Sequence, residues 1–207
     1  MTRGITKATL LEASAWLALA DPDLARVDRL HGPPPLWARR PGFTTLVRII
    51  LEQQVSLASA RAAFAALQRH TGAVTPERVL GVGACGLRAV GLTRQKARYV
   101  RDLADGVVNG RVDLERLHRL SDADAHKTLT AIVGIGPWTA DIYLIMALRR
   151  PDVWPVGDLA LAKSVMHLKR LRRVPHEARL QRIAGAWRPW RSVAARMAWH
   201  YYLRGYG

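Results

Sequence analysis

The sequence predicts an all-α protein, and three observations carry that expectation. Apolar residues recur three or four positions apart through one segment after another, as one face of a helix requires. Alternation of apolar and polar residues, the mark of a half-buried strand, is nowhere sustained. Ser, Thr, Gly and Pro fall at the ends of the periodic segments, where they cap or stop helices. With 49% of its 207 residues hydrophobic, the chain can fill the core of one large domain or of two small lobes sharing a core.

Lys7 to Leu19 reads as a helix ended by Asp21-Pro22, and a shorter one spans about Asp23 to Leu30. Pro33, Pro34 and Pro35 then forbid helix and make a stiff crossing. Phe43 to Leu51 is the first strongly apolar helix, with Leu46, Val47, Ile49 and Ile50 on its buried face. It breaks at Glu52-Gln53-Gln54-Val55, and Ser56 can cap the next helix, which carries Leu57, Ala60, Phe64 and Leu67. Adjacent glutamines between two apolar helices read most simply as a polar joint whose amides satisfy loose backbone groups. Thr75 to Asn109 holds the glycine-punctuated run Val79–Gly83, and then Thr93 as the cap of another helix. That helix buries Ala97, Val100, Leu103, Ala104 and Val107 and stops at Asn109-Gly110. Asp113 to Arg119 is a short helix leading into Ser121.

Leu129 to Lys163 is the stretch around which the rest is organised. Ser121 caps a helix with Asp122 and Asp124 in its first turn, where acidic side chains suit the helix dipole. Ala125, Leu129 and Ile132 continue it until Gly134 stops the run. Gly134-Ile135-Gly136 turns the chain, and Pro137 opens a second helix at a position where its missing N–H has no helical partner to lose. Glycine-hairpin amides beside a helix N-terminus suit a phosphate diester without reading any base. Asp158 follows Pro155-Val156-Gly157 at the start of a helix over Leu159–Leu171, where an Asp is ordinarily an N-cap. A basic patch, a helix over about His176–Ala186 and a last apolar helix complete the chain. Seven tryptophans cannot all be functional, and Trp16, Trp37, Trp154 and Trp199 are assigned to packing or lobe contacts.

Composition narrows the partners. The net charge of +16, from 32 basic and 16 acidic residues, points to a polyanion, most simply nucleic acid. The bland reading of that surplus is a solvated, arginine-rich surface. The single cysteine, Cys85, excludes an intramolecular disulfide and a four-thiolate iron–sulfur cluster; it is expected buried or half-buried. No His pair has zinc-ligand spacing. No apolar run reaches the length of a membrane span, so a soluble, intracellular (cytoplasmic) protein is expected.

Several segments together resemble the helix-hairpin-helix DNA glycosylase superfamily. They are ILEQQVS (Ile50–Ser56), GLTRQKA (Gly91–Ala97), GIGPWTAD (Gly134–Asp141), PVGD (Pro155–Asp158) and WRPWRS (Trp187–Ser192). The resemblance spans about Asp23 to Leu203 and is to the alkylpurine branch, that of DNA-3-methyladenine glycosylase II. It implies a two-lobed helical bundle with a cleft between the lobes. The central lobe would cover 44–155, with the hairpin at 122–148; the second would join 1–43 to 156–207. It implies a monofunctional enzyme of base excision repair, acting as a monomer on duplex DNA that contains damaged bases.

The resemblance also assigns residues. Asp158 matches the catalytic acid facing the glycosidic bond, although Gly157 replaces an acidic neighbour that some members carry. Gly134, Gly136 and Thr139 belong to the DNA-gripping hairpin. Gln54 matches the residue that plugs the duplex where the base has left, with Gln53 supporting that loop and the DNA contact. Trp138 and Trp190 match pocket aromatics; Tyr143 is a looser candidate, one position past the family's aromatic, where this chain has Ile142. Arg191 braces Trp190 or reaches a phosphate. Relatives that also cut the backbone have a lysine where this chain has Trp138, so no Schiff-base route is expected. No cofactor is required. A Na+ or K+ ion is expected, if at all, on the carbonyls of Thr130, Ile132 and Gly134. The alternatives are a glycosylase for another damaged or mismatched base, and a non-enzymatic helix-hairpin-helix DNA-binding protein.

Overall fold

The computed structural model describes residues 4–206. Among them the chain forms eleven α-helices and a 3-10 turn, with no strand. The helices are α1 (Lys7–Ala20), α2 (Pro22–His31), α3 (Phe43–Glu52), α4 (Leu57–Thr71), α5 (Pro76–Ala89) and α6 (Arg94–Val108). After the 3-10 turn Arg116–Arg119 come α7 (Asp122–Thr130), α8 (Pro137–Met146), α9 (Leu159–Leu168), α10 (Glu177–Gly185) and α11 (Arg191–Leu203). No described helix is long and apolar enough to cross a membrane.

The chain divides into two compact units, Arg39–Tyr143 and Met1–Ala38 with Leu144–Gly207. The second boundary therefore falls inside α8 and not after residue 155. Hydrogen bonds explain the difference. Ile5 N–H donates to the Arg149 carbonyl at 2.8 Å, and Ser192 N–H donates to the Pro151 carbonyl at 3.0 Å. The segment after Tyr143 is thus stitched to the two chain ends.

In the Arg39–Tyr143 unit, α3 supplies much of the core. Leu46, Val47, Ile49 and Ile50 are fully buried, each contributing roughly 1.5–3 kcal/mol relative to exposure. Helix α5 was hidden in the glycine-punctuated stretch; it is capped by Thr75 and bends at Gly83, whose φ of 68° only glycine adopts readily. Cys85, on this helix, is exposed and not buried. Helix α7 stops at Thr130, short of the expected run to Gly134, because the chain tightens into turns whose amides bond three residues back.

In the other unit, α11 is the central helix, buried at every position from Ser192 to Tyr201. Arg196 on it is fully buried. Its guanidinium donates to the carbonyls of Leu36 (3.0 Å), Ser192 (3.0 Å) and Ile145 (2.7 Å). Burial pushes this arginine down to about 10. Trp16, expected to make packing or lobe contacts, is 42% exposed on α1.

Asp21 closes this unit. It caps α2 through the Asp23 N–H at 3.0 Å, receives Lys169 Nζ at 2.7 Å and receives the indole N–H of the buried Trp187 at 2.7 Å. Burial alone would raise the Asp21 carboxyl, but the Lys169 and Trp187 hydrogen bonds outweigh it and hold the group below the usual carboxylate value of 3.8. The folded carboxyl therefore binds its proton less readily than the unfolded one. Its contribution is present above 3.8 and is lost as pH falls through the lower folded value. Replacing Asp21 with Asn is expected to cost about 1–2 kcal/mol near neutral pH, since Lys169 loses the more buried of its two charge partners and keeps Asp23 at 2.9 Å. Urea unfolding of both proteins checks this, and the gap should shrink as the pH drops below about 4.

Candidate active site

The hairpin is held from two sides within the Arg39–Tyr143 unit. Ile135 at its tip is buried, and Ile135 N–H donates to the Ile132 carbonyl at 3.0 Å to close the turn. Gly134 has φ of 86°, and a Cβ there would overlap the ring of Tyr99 on α6. That ring is tied down by Gln95, whose amide donates to the Tyr99 hydroxyl at 2.7 Å. Gly136 is exposed with open space around it. Ala140 N–H bonds four residues back, to the Gly136 carbonyl at 3.0 Å, which puts Gly136 at the N-terminus of α8, the positive end of the helix dipole. The hairpin thus presents amide dipoles beside a glycine that a phosphate can approach closely.

Gln53 does more than support its own loop. Its amide donates to the Gly134 carbonyl and to the Thr139 hydroxyl, both at 2.9 Å. This links the end of α3 directly to the hairpin. The Thr139 side chain is buried and its hydroxyl serves Gln53, so the expected DNA contact is left to its backbone and not to its side chain. Gln54 next to it is exposed, with φ of 55°, a left-handed conformation that costs a non-glycine residue of order 1 kcal/mol. The turn beneath is rigidly braced. Arg39 forms a two-pronged ion pair with Glu52 at 3.0 and 2.9 Å, and Lys96 Nζ donates to the Leu51 carbonyl at 2.7 Å. Burial lowers the Lys96 pKa from its ordinary value. Tyr143 is also corrected: it is fully buried, and its hydroxyl accepts the Gly42 N–H at 2.8 Å. In that position it braces the core.

The acid lies in the other unit. Gly157, with φ of 78°, makes the turn into α9, and its N–H donates to Glu177 Oε2 at 3.2 Å. Asp158 follows as the N-cap of α9, its Oδ1 accepting the Leu161 N–H at 2.7 Å. The same oxygen receives the indole N–H of Trp199 at 3.3 Å. Asp158 is half-buried, which leaves a carboxylate both fixed and approachable. Trp199, read from the sequence as a packing or lobe contact, thus also touches the acid, a contact that reading missed. No local signal marks it, because its partner lies on another helix.

Trp190 is half-buried just before α11, and Trp138 is half-buried in the first turn of α8. Of the two roles expected of Arg191, the structure favours bracing over reaching a phosphate. Its guanidinium grips Asp152, with Nε to Oδ1 at 2.8 Å and Nη2 to Oδ2 at 3.0 Å. That pair, with Ser192 Oγ accepting the Val153 N–H at 2.9 Å, fixes the start of α11 and hence the backbone of Trp190. Among the described residues no group of three His, Cys, Asp or Glu side chains could hold a metal ion.

Fold and site together define a helix-hairpin-helix protein whose acidic residue caps a later helix. The family model of the HhH-GPD superfamily base excision DNA repair proteins matches residues 47–189, and the chain belongs to that family. DNA-3-methyladenine glycosylase 1 of Schizosaccharomyces pombe is 27% identical over 198 residues, covering 92% of this chain and 87% of the relative. The DNA-3-methyladenine glycosylase of Bacillus subtilis is 32% identical over 123 residues, 59% of this chain but 41% of that longer protein. The structure of the S. pombe 3-methyladenine DNA glycosylase in complex with abasic DNA superposes with a TM-score of 0.84 at 27% identity, covering 91% of this chain and 95% of that one.

Proposed function

We propose that the protein is a monofunctional DNA glycosylase that releases alkylated purines, of the 3-methyladenine type, from duplex DNA. The observation that carries this reading is Asp158, an acid held on one oxygen by donors from two helices, in a chain of the base excision family. Base release passes through a sugar with oxocarbenium character, and a fixed carboxylate beside it stabilises the developing charge. The C1′–N bond breaks with its electron pair going to the base. An alkylated purine is already cationic, so it leaves neutral and needs no second acid. Water adds to the sugar carbon and gives up a proton, for which Asp158 is the acceptor.

The other residues serve flipping and recognition. A base taken out of the stack leaves a gap and costs a few kcal/mol; the exposed Gln54, raised on its braced turn, fills that gap. A cationic purine is attracted to the faces of Trp138 and Trp190, by roughly 1–2 kcal/mol when desolvated. Gly134 and Gly136 bring the backbone close to a phosphate. The net charge of +16 favours DNA association before any lesion is met. One chain carries both hairpin and acid, so a monomer suffices, and the site of action is wherever the cell keeps its DNA.

No cofactor is needed for this chemistry. An alkali cation at the hairpin would draw on the carbonyls of Thr130, Ile132 and Gly134. Ile132 and Gly134 already accept one hydrogen bond each, and a carbonyl keeps a second lone pair, the kind of oxygen donor a hard cation takes. Such an ion would hold the hairpin carbonyls together and add positive charge near a phosphate.

Duplexes carrying alkylated, deaminated and oxidised bases separate this reading from its rivals. Base release is expected from the alkylated duplex, with strand breaks appearing only after alkali. Borohydride is expected to trap no covalent adduct, since Trp138 offers no amine. Release confined to oxidised bases, or a trapped adduct, contradicts the proposal.

A further inference from the structure

We propose that Gln53 is a positioning residue for base flipping: its amide ties the turn that carries Gln54 to the hairpin that holds the DNA strand. The inference rests on the reading of Gln54 as the residue that fills the gap in the duplex. Three observations support it, all within the Arg39–Tyr143 unit. Gln53 Nε2 donates to the Gly134 carbonyl and to the Thr139 hydroxyl, both at 2.9 Å, so one amide reaches the hairpin turn and the first turn of α8 together. Gln53 is also the C-cap of α3, its N–H bonded to the Ile50 carbonyl at 3.3 Å, so its own backbone is anchored on the helix side. And Gln54, the next residue, is exposed with φ of 55°, a conformation that persists in a non-glycine residue where the surroundings over-determine it.

The physical role follows from what each anchor of the turn touches. The Arg39–Glu52 pair and the bond from Lys96 Nζ to the Leu51 carbonyl hold the residues ahead of Gln53. The Gln53 amide is the anchor that crosses to the hairpin. Gripping a phosphate fixes where the protein stands along the strand, whereas a wedge must enter at one particular base step. Steps lie about 3.4 Å apart along the strand, so a wedge off by half a step meets a neighbouring base. Two bonds to the hairpin set Gln54 at its height before the base leaves the stack. Without them the hairpin still grips, but the turn has to be ordered at the moment of flipping, and that ordering costs free energy. A purely structural role makes a different prediction, in which losing the bonds lowers stability and nothing else.

Gln53→Met keeps the length of the side chain and removes both donated bonds. It is expected to lower the single-turnover rate of base release from an alkylated duplex about tenfold, the scale of one or two neutral hydrogen bonds. Affinity for undamaged duplex, set by the hairpin and the charge, should stay within about twofold of wild type. Gln54→Ala supplies the reference. Because Gln53 acts through Gln54, the double variant is expected to be no slower than Gln54→Ala alone, a non-additivity that independent sites do not show. The fluorescence of 2-aminopurine placed beside the lesion reports unstacking and should fall in step with the rate. Additive losses, a wild-type rate for Gln53→Met, or a loss that only tracks the folded fraction overturns the proposal. If the Met variant does not fold, Thr139→Val, which removes one acceptor in a side chain of the same shape, is judged by the same comparison. A wild-type rate for Gln54→Ala would refute the wedge reading and the proposal with it. No base release by the wild-type protein would refute the assigned chemistry alone, and the 2-aminopurine signal would then still decide whether Gln53 governs unstacking.

Discussion

Asp158→Asn is expected to slow base release from an alkylated duplex by about 10²–10³-fold while leaving the melting temperature and the affinity for abasic DNA near their wild-type values. The two roles of this residue separate cleanly under that substitution. Asn is as good an N-cap as Asp, and its amide oxygen still accepts from Leu161 N–H and from the Trp199 indole, the two bonds seen at 2.7 and 3.3 Å. What disappears is the negative charge, which an oxocarbenium-like sugar needs and a helix cap does not. Single-turnover kinetics with a melting curve and an abasic-DNA titration check all three quantities. Release at the wild-type rate would reduce Asp158 to a cap and leave a DNA-binding protein without this chemistry. Failure to fold would contradict the cap geometry itself.

Gly134→Ala is expected to weaken DNA binding by about tenfold or more and to lower the melting temperature by several degrees. Two costs combine at this position. The φ of 86° strains any residue with a Cβ by about 1–2 kcal/mol, and the new methyl overlaps the Tyr99 ring. That ring cannot simply swing away, since its hydroxyl is held by Gln95 and Arg98 lies over its face at 5.4 Å. The hairpin must shift, and the Gly134 carbonyl would then lose Gln53. Gly136→Ala provides the contrast. Its surroundings are open, so the fold should keep its melting temperature, and only close approach of a DNA strand can make the methyl felt. Fluorescence anisotropy on a labelled duplex distinguishes the cases; wild-type affinity for Gly134→Ala would mean that DNA is held elsewhere.

Much of this site could be read in the chain because its signals are local. Ser121, Thr93, Ser56 and Asp158 each cap the helix that follows, through an N–H three residues on. Such bonds close within one turn, so a capping side chain before an apolar periodic run suffices to find them. The Gly-x-Gly-Pro turn between α7 and α8 was legible for the same reason. Less was readable where signals conflict. The glycines of α5 obscured a helix, and the apolar residues after Thr130 suggested more helix than the turns of the hairpin allow.

What the sequence determined by itself is the all-α class, the order of most helices, the hairpin and the capping place of Asp158, since each depends on contacts a few residues apart. Only the tertiary structure decided what the candidate side chains touch. It turned Tyr143 and Thr139 inward, occupied Arg191 with Asp152, sent the Gln53 amide to Gly134, 81 residues away, and brought the Trp199 indole to Asp158 across 41 residues. The reason is physical. A helix period or a cap is enforced by the local backbone, whereas the partner of a buried donor is set by which helices pack together, and no short stretch of chain carries that information.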